Sequence, residues 1–209
     1  KIIYESLGLN FKKISDAKPF KYREIDFLYV GRINKEKGIF EFLEFLNAFL
    51  AREEFDFKNV FRMVISGPSN NNYKEMLENY LNQFKRFKSI DIKYTGYISN
   101  DLRNQFYKNT KYFLYPTFGD CFGLSVVEAL YYGCRVISTK DLGIYKTLKS
   151  LNLIDFYKRD YEHDKKLILK ILKDKENINY SVSKKKLDQY FGFDEYTNNY
   201  EHMINLFLN

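Results

Sequence analysis

The chain has 209 residues, enough for one substantial hydrophobic core or at most two small ones. Hydrophobic residues make up 45%, which argues against wholesale disorder, and no apolar run approaches the roughly 20 residues of a membrane-spanning helix. The formal charge of +7 points to an anionic partner: a nucleotide diphosphate, a lipid surface or nucleic acid.

Lys1 stands where an initiator Met would, and no basic-then-apolar leader follows, so the chain reads as a fragment or processed product. Residues 1–24 carry Gly8, Pro19 and mixed charges and read as a connector. From residue 25, short β-branched or aromatic runs alternate with helical patterns. The expected strands are 25–30, 60–66, 90–95, 111–115, 134–138 and 152–156. The expected helices are 38–51, 72–88, 99–108, 123–132, 143–149, 163–173 and 194–208. This alternation predicts an α/β fold: a doubly wound, mainly parallel six-stranded sheet covered on both faces, spanning 25–190. Residues 191–209 are expected to form a C-terminal helix outside that domain. Gly31, Gly67, Gly96, Pro116 and Thr139 all fall at strand exits, so candidate site residues share one edge, where ligands of such sheets bind.

Residues 119–133, GDCFGLSVVEALYYG, carry most of the chemical information. A helix starting near Gly123 leaves its first N–H groups free for an anion, with Phe122, Leu124 and Ser125 around that start. Asp120 precedes the start and reads as reaching out over the site. Glu128 lies more than a turn inside, where a carboxylate can accept from two vicinal hydroxyls. Acid, anion site and acid in line suit a sugar–diphosphate–ribose ligand. Arg32 and Lys37 flank the turn after the first strand and would supply a planar fork and a point charge to a diphosphate.

The 119–133 stretch resembles the acid-x7-acid motif of retaining GT-B glycosyltransferases, the family 4 group. FLYVGRINKEKGIFEFLEFL (27–46) resembles the family's opening strand, Gly-Arg turn and Lys-Gly helix start, with Gly31 and Gly38 framing the cations. FRMVISGP (61–68) resembles its second strand, and 92–130 the block from base-binding loop to second acid. The similarity spans roughly 20–208. It implies a Rossmann-like C-terminal half of a GT-B fold. In that frame Arg32 and Lys37 bind the donor's diphosphate, Asp120 contacts donor-sugar hydroxyls, and Glu128 binds the ribose. Gly96, Tyr97 and Ile98 pack the base, and Gly123 lets backbone approach a phosphate. It further implies metal-independent transfer of a hexosyl group, a nucleotide sugar as substrate with no cofactor, and an N-terminal acceptor-binding domain upstream. SLGLNF (6–11) resembles the interdomain segment, and 193–208 the helix that packs back across the junction.

Three features depart from the pattern. Asp120 stands where Glu is commoner and is one methylene shorter. Gly67-Pro68 replaces Gly-x-Gly, and Asp141-Leu142-Gly143 lacks one glycine of a usual pair. No GxGxxG or P-loop occurs, against ordinary NAD binding or an ATPase. His163 and His202 lack partners at metal-ligand spacing, and Cys121 and Cys134 read as small, partly buried thiols of a reducing compartment. The expected location is cytoplasmic, with a peripheral membrane contact left open and no nucleic acid. Lysines between 158 and 186 read as a solvated helical face. Two other readings stay open: a non-catalytic nucleotide-sugar-binding or scaffold subunit, and an epimerase of the same architecture.

Overall fold

Alternate residues of a buried parallel strand serve two cores, and the central strands here are apolar on both sides. In β1 (Ile25–Val30), Phe27 and Tyr29 enter one core while Leu28 enters the other. In β4 (Thr110–Tyr115), Tyr112 and Leu114 face the first core, and Phe113 and Tyr115 the second. The computed structural model describes residues 17–52, 60–174 and 184–191.

The remaining strands are β2 (Phe61–Ser66), β3 (Ile90–Tyr94), β5 (Arg135–Ser138) and β6 (Ile154–Phe156). All pairings are parallel, in the order β3-β2-β1-β4-β5-β6. The chain therefore winds outward from β1 in one direction and then from β4 in the other. The β1–β4 junction is the switch point, the place where sheets of this kind form a crevice at the strand exits.

The helices are α1 (Ile39–Arg52), α2 (Asn71–Phe84), α3 (Asn100–Lys108), α4 (Leu124–Tyr131), α5 (Tyr145–Ser150), α6 (Tyr161–Asp174) and α7 (Lys184–Phe191). α1, α2 and α6 cover the first core through Phe42, Leu46, Leu77, Phe84, Ile168 and Ile171. α3, α4, α5 and α7 cover the second through Tyr107, Val126, Val127, Leu148, Leu187 and Phe191. The six expected strands and the six expected helices within the described residues are present, with ends shifted by up to four residues.

Two local findings go beyond the sequence pattern. Residues 18–23, read as connector, dock onto the sheet. Buried Arg23 donates to the carbonyls of Lys18, Thr110, Tyr132 and Gly133, and the Phe20 ring meets Tyr112 edge-on at 5.5 Å. The second is α7, which the sequence reading did not assign. It exposes Lys184, Lys185 and Lys186 while burying Leu187 and Phe191. The expected helix over 194–208 lies outside the described residues.

Candidate functional site

The site is assembled from four strand exits that are laced together. Gly31 N–H donates to the Ser66 carbonyl at 3.0 Å, and Gly67 N–H to the Gly96 carbonyl at 2.8 Å. At Gly67 the backbone has φ +140°, and a Cβ there would lie 1.8 Å from the Gly31 carbonyl oxygen. Only glycine allows this contact. Gly38, at φ +70°, approaches the Pro116 carbonyl just as closely, joining the β1–α1 turn to the exit of β4.

Asn34 caps the short 3₁₀ turn Lys35–Lys37 by accepting from Lys37 N–H at 3.0 Å. That turn delivers Lys37 to the crevice, only 9% exposed, with its Nζ 2.5 Å from Asp120 Oδ2. Arg32 leaves the same loop exposed to solvent, and no side-chain partner holds its guanidinium among the described residues. Its carbonyl accepts from the Tyr29 hydroxyl at 2.7 Å, which fixes the backbone under it.

Asp120 differs from the sequence expectation. It does not reach out over the crevice but turns inward. Oδ2 accepts from Lys37 and from the Tyr115 hydroxyl at 2.7 Å; Oδ1 accepts from the N–H groups of Phe122 at 3.0 Å and Gly123 at 2.7 Å. A carboxylate offers about four acceptor positions, and all are taken by the protein. A direct sugar contact would have to displace one of them. The cause is backbone geometry. Asp120 N–H donates to the Asp141 carbonyl at 3.2 Å, and Gly143 N–H to the Asp120 carbonyl at 2.8 Å. The loop is thereby tied to the β5 exit. Burial alone would raise the Asp120 pKa, but the bonds from Lys37, Tyr115 and Phe122 N–H outweigh it and hold the carboxyl below its ordinary value. Burial and the same carboxylate push the Tyr115 hydroxyl up.

Gly123 is the N-cap of α4, at φ +72°. Its own amide and that of Phe122 serve Asp120, so the first helical amides, Leu124 and Ser125, lack an intrahelical acceptor. Leu124 is half-exposed, which keeps this helix end open to solvent. Glu128 lies one turn on, facing α3. Oε1 accepts from Arg103 Nη2 at 3.2 Å and Oε2 from the Tyr107 hydroxyl at 3.1 Å. Burial, then the Glu128 charge, raises the Tyr107 pKa.

Gly96, Tyr97 and Ile98 form the loop between β3 and α3. The Gly96 carbonyl is consumed by Gly67 N–H and the Ser66 hydroxyl, and the Tyr97 side chain is 81% exposed. What the loop offers a ligand is thus the Tyr97 face and the backbone beyond it. Phe122 is turned away, meeting Phe191 of α7 edge-on at 6.0 Å.

Sequence reasoning missed four residues here. Arg103 and Tyr107 are spaced i, i+4 and so share a helix face, a signal that was available. Tyr115 ends β4 and had no distinguishing mark. Arg159 comes from the loop after β6: it donates to Asp141 at 2.9 Å and to the carbonyls of Pro116 at 3.1 Å and Thr117 at 2.5 Å. Its guanidinium also lies 3.6 Å from the Phe118 ring centroid. It clamps the β4 exit from some 40 residues away.

A family model for glycosyl transferases group 1 matches residues 10–187. The chain belongs to this family. No curated protein shows significant sequence similarity to it. Among solved structures, it is similar to AviGT4, a glycosyltransferase involved in avilamycin A biosynthesis, at TM-score 0.65 and 16% identity over 98% of this chain and 58% of that one. HepE from Anabaena, solved in complex with UDP, matches at TM-score 0.67 and 14% identity, over 88% of this chain and 50% of that one. The C-terminal domain of a glycosyl transferase group 1 protein (LpcC) from Francisella tularensis matches at TM-score 0.58 and 18% identity, over 92% and 98%. At these identities the likeness shows the fold alone. The chain spans 50–58% of the length of AviGT4 and HepE. No helix among the described residues is long and apolar enough to cross a membrane.

Proposed function

We propose that this chain is the donor-binding half of a retaining, family 4 GT-B glycosyltransferase that moves a hexosyl group from a nucleoside diphosphate to an acceptor hydroxyl. One observation carries the reading. Arg32, exposed and without a side-chain partner among the described residues, the Lys37 ammonium and the open start of α4 stand at the β1–β4 switch point, with a carboxylate, Glu128, one turn further on. The diphosphate would lie against Arg32, Lys37 and the amides of Leu124 and Ser125, where positive charge is already in place. The same groups would stabilise charge developing on the departing diphosphate, without a divalent cation. Glu128 would take the ribose, and the Tyr97 loop the base. The UDP bound to HepE supports a nucleoside diphosphate as the ligand class. The acceptor would be held by an N-terminal domain in the remainder of a longer protein, which accords with the chain spanning about half of such relatives.

Calorimetry of the chain with UDP, GDP and ADP, with and without a chelator, tests the reading. At least one diphosphate should bind, and the chelator should leave its affinity unchanged. Arg32→Ala should weaken it by about 1.5–3 kcal/mol, the worth of a charge-assisted hydrogen bond, and leave the free nucleoside unaffected. Failure of all three diphosphates to bind would defeat the proposal. Loss of binding on chelation would overturn its metal-free part.

A further inference from the structure

We infer that Arg103 is a specificity-determining residue of the donor site, paired with Glu128 so that the two together read a ribose diol. The inference rests on the donor-site reading above and adds α3 to it. Arg103 and Tyr107, one turn apart on α3, both reach Glu128 on α4, one to each carboxylate oxygen. Two of the roughly four acceptor positions of Glu128 stay available. The guanidinium is less fully used. Its Nη2 meets Glu128, while its Nε–H is buried without an acceptor among the described residues. Nε–H and Nη2 share one edge of the planar fork, so the unsatisfied donor lies beside the one that meets the carboxylate.

Fold stability gives no reason for this arrangement. A part-exposed ion pair contributes little, and an unpaired buried donor costs stability. The Arg103 side chain is 30% exposed and that of Glu128 25%, so part of the couple is within reach of a ligand, with Nε covered behind it. Its chemistry matches a hydroxyl, which both donates and accepts. A hydroxyl proton can go to Glu128 while its oxygen accepts from Arg103. A carboxylate alone provides only the first half of that recognition. With the base expected at the Tyr97 loop, just before α3, the sugar that follows the base falls opposite this helix face.

Calorimetry with UDP and its 2′-deoxy and 3′-deoxy forms, and with the same three forms of GDP and of ADP, tests the inference on the wild-type chain, Arg103→Met and Arg103→Lys. The wild type should prefer the ribonucleotide. Arg103→Met keeps the aliphatic stem and loses the fork, so the ribo-to-deoxy affinity ratio should fall roughly threefold to tenfold, the equivalent of one hydrogen bond. Arg103→Lys keeps the charge without the planar edge and should fall between. Thermal unfolding identifies the folded variants, and if the Met variant does not fold, the Lys variant decides. An unchanged ratio, or equal weakening of ribo and deoxy forms, would overturn the role of Arg103 while leaving the donor site intact. If none of UDP, GDP and ADP binds the wild type, the donor-site reading fails and this inference with it.

Discussion

Asp120→Ala should destabilise the protein far more than a surface acid would. Four donors converge on this carboxylate, at 2.5 Å from Lys37, 2.7 Å from Tyr115, 3.0 Å from Phe122 N–H and 2.7 Å from Gly123 N–H. Removing it leaves an ammonium that is only 9% exposed without its counterion. Breaking a buried pair costs about 3–5 kcal/mol. The crevice admits water, since the Asp120 side chain is 20% exposed, so the low end applies: about 3 kcal/mol in all. For a domain of this size that is a fall in Tm of about 6–12 °C. Asp120→Asn keeps one acceptor oxygen but loses the charge facing Lys37, and should lose less than Asp120→Ala. The effect is linked to pH. The folded pKa of Asp120 is depressed, so its contribution is fully present above the ordinary Asp range and is lost as pH falls through the folded value. The gap between wild type and Asp120→Ala should therefore hold down to about pH 4 and close below it. Thermal and urea unfolding followed by circular dichroism measure both quantities. A change in Tm under about 1 °C at neutral pH would refute the inward placement and restore the outward, sugar-facing Asp120 expected from the sequence.

Gly67→Ala should fail to fold or lose more than about 3 kcal/mol in urea unfolding, because the new Cβ would sit 1.8 Å from a backbone oxygen at a φ of +140°. Gly96→Ala has the open space that Gly67 lacks and should cost only the strain of φ +69°, about 1 kcal/mol. Thiol labelling should separate the two cysteines. Exposed Cys121 should react in the folded chain, whereas buried Cys134, whose thiol burial pushes up to about 12, should react only on unfolding. Labelling of both at equal rates under native conditions would contradict the packing of α4 against β5.

Which residues share the site edge was legible in the sequence, because it follows from strand–helix alternation and from glycines at strand exits. The spacing of Asp120, Gly123 and Glu128 was legible too, since eight residues on and beside a helix fix which end each acid occupies. Local periodicity also located β1 through β6 and six of the helices, as each buries an apolar face that repeats at 2 or 3.6 residues. It did not reveal α7. That helix has only Leu187 and Phe191 to mark its buried face, and their burial depends on α4 and Phe122 being there to receive them.

The direction in which each acid points was decided by tertiary structure alone. Asp120 faces inward because Lys37, 83 positions earlier, and Tyr115 converge on it, and because the backbone of 141–143 ties its loop down. Glu128 is oriented by Arg103 and Tyr107, and the β4 exit is clamped by Arg159. Charge and hydrogen-bond capacity are properties of a residue and can be read one at a time. Whether that capacity is spent on the protein or left for a ligand depends on partners far away in the chain, and only the folded arrangement brings them within reach.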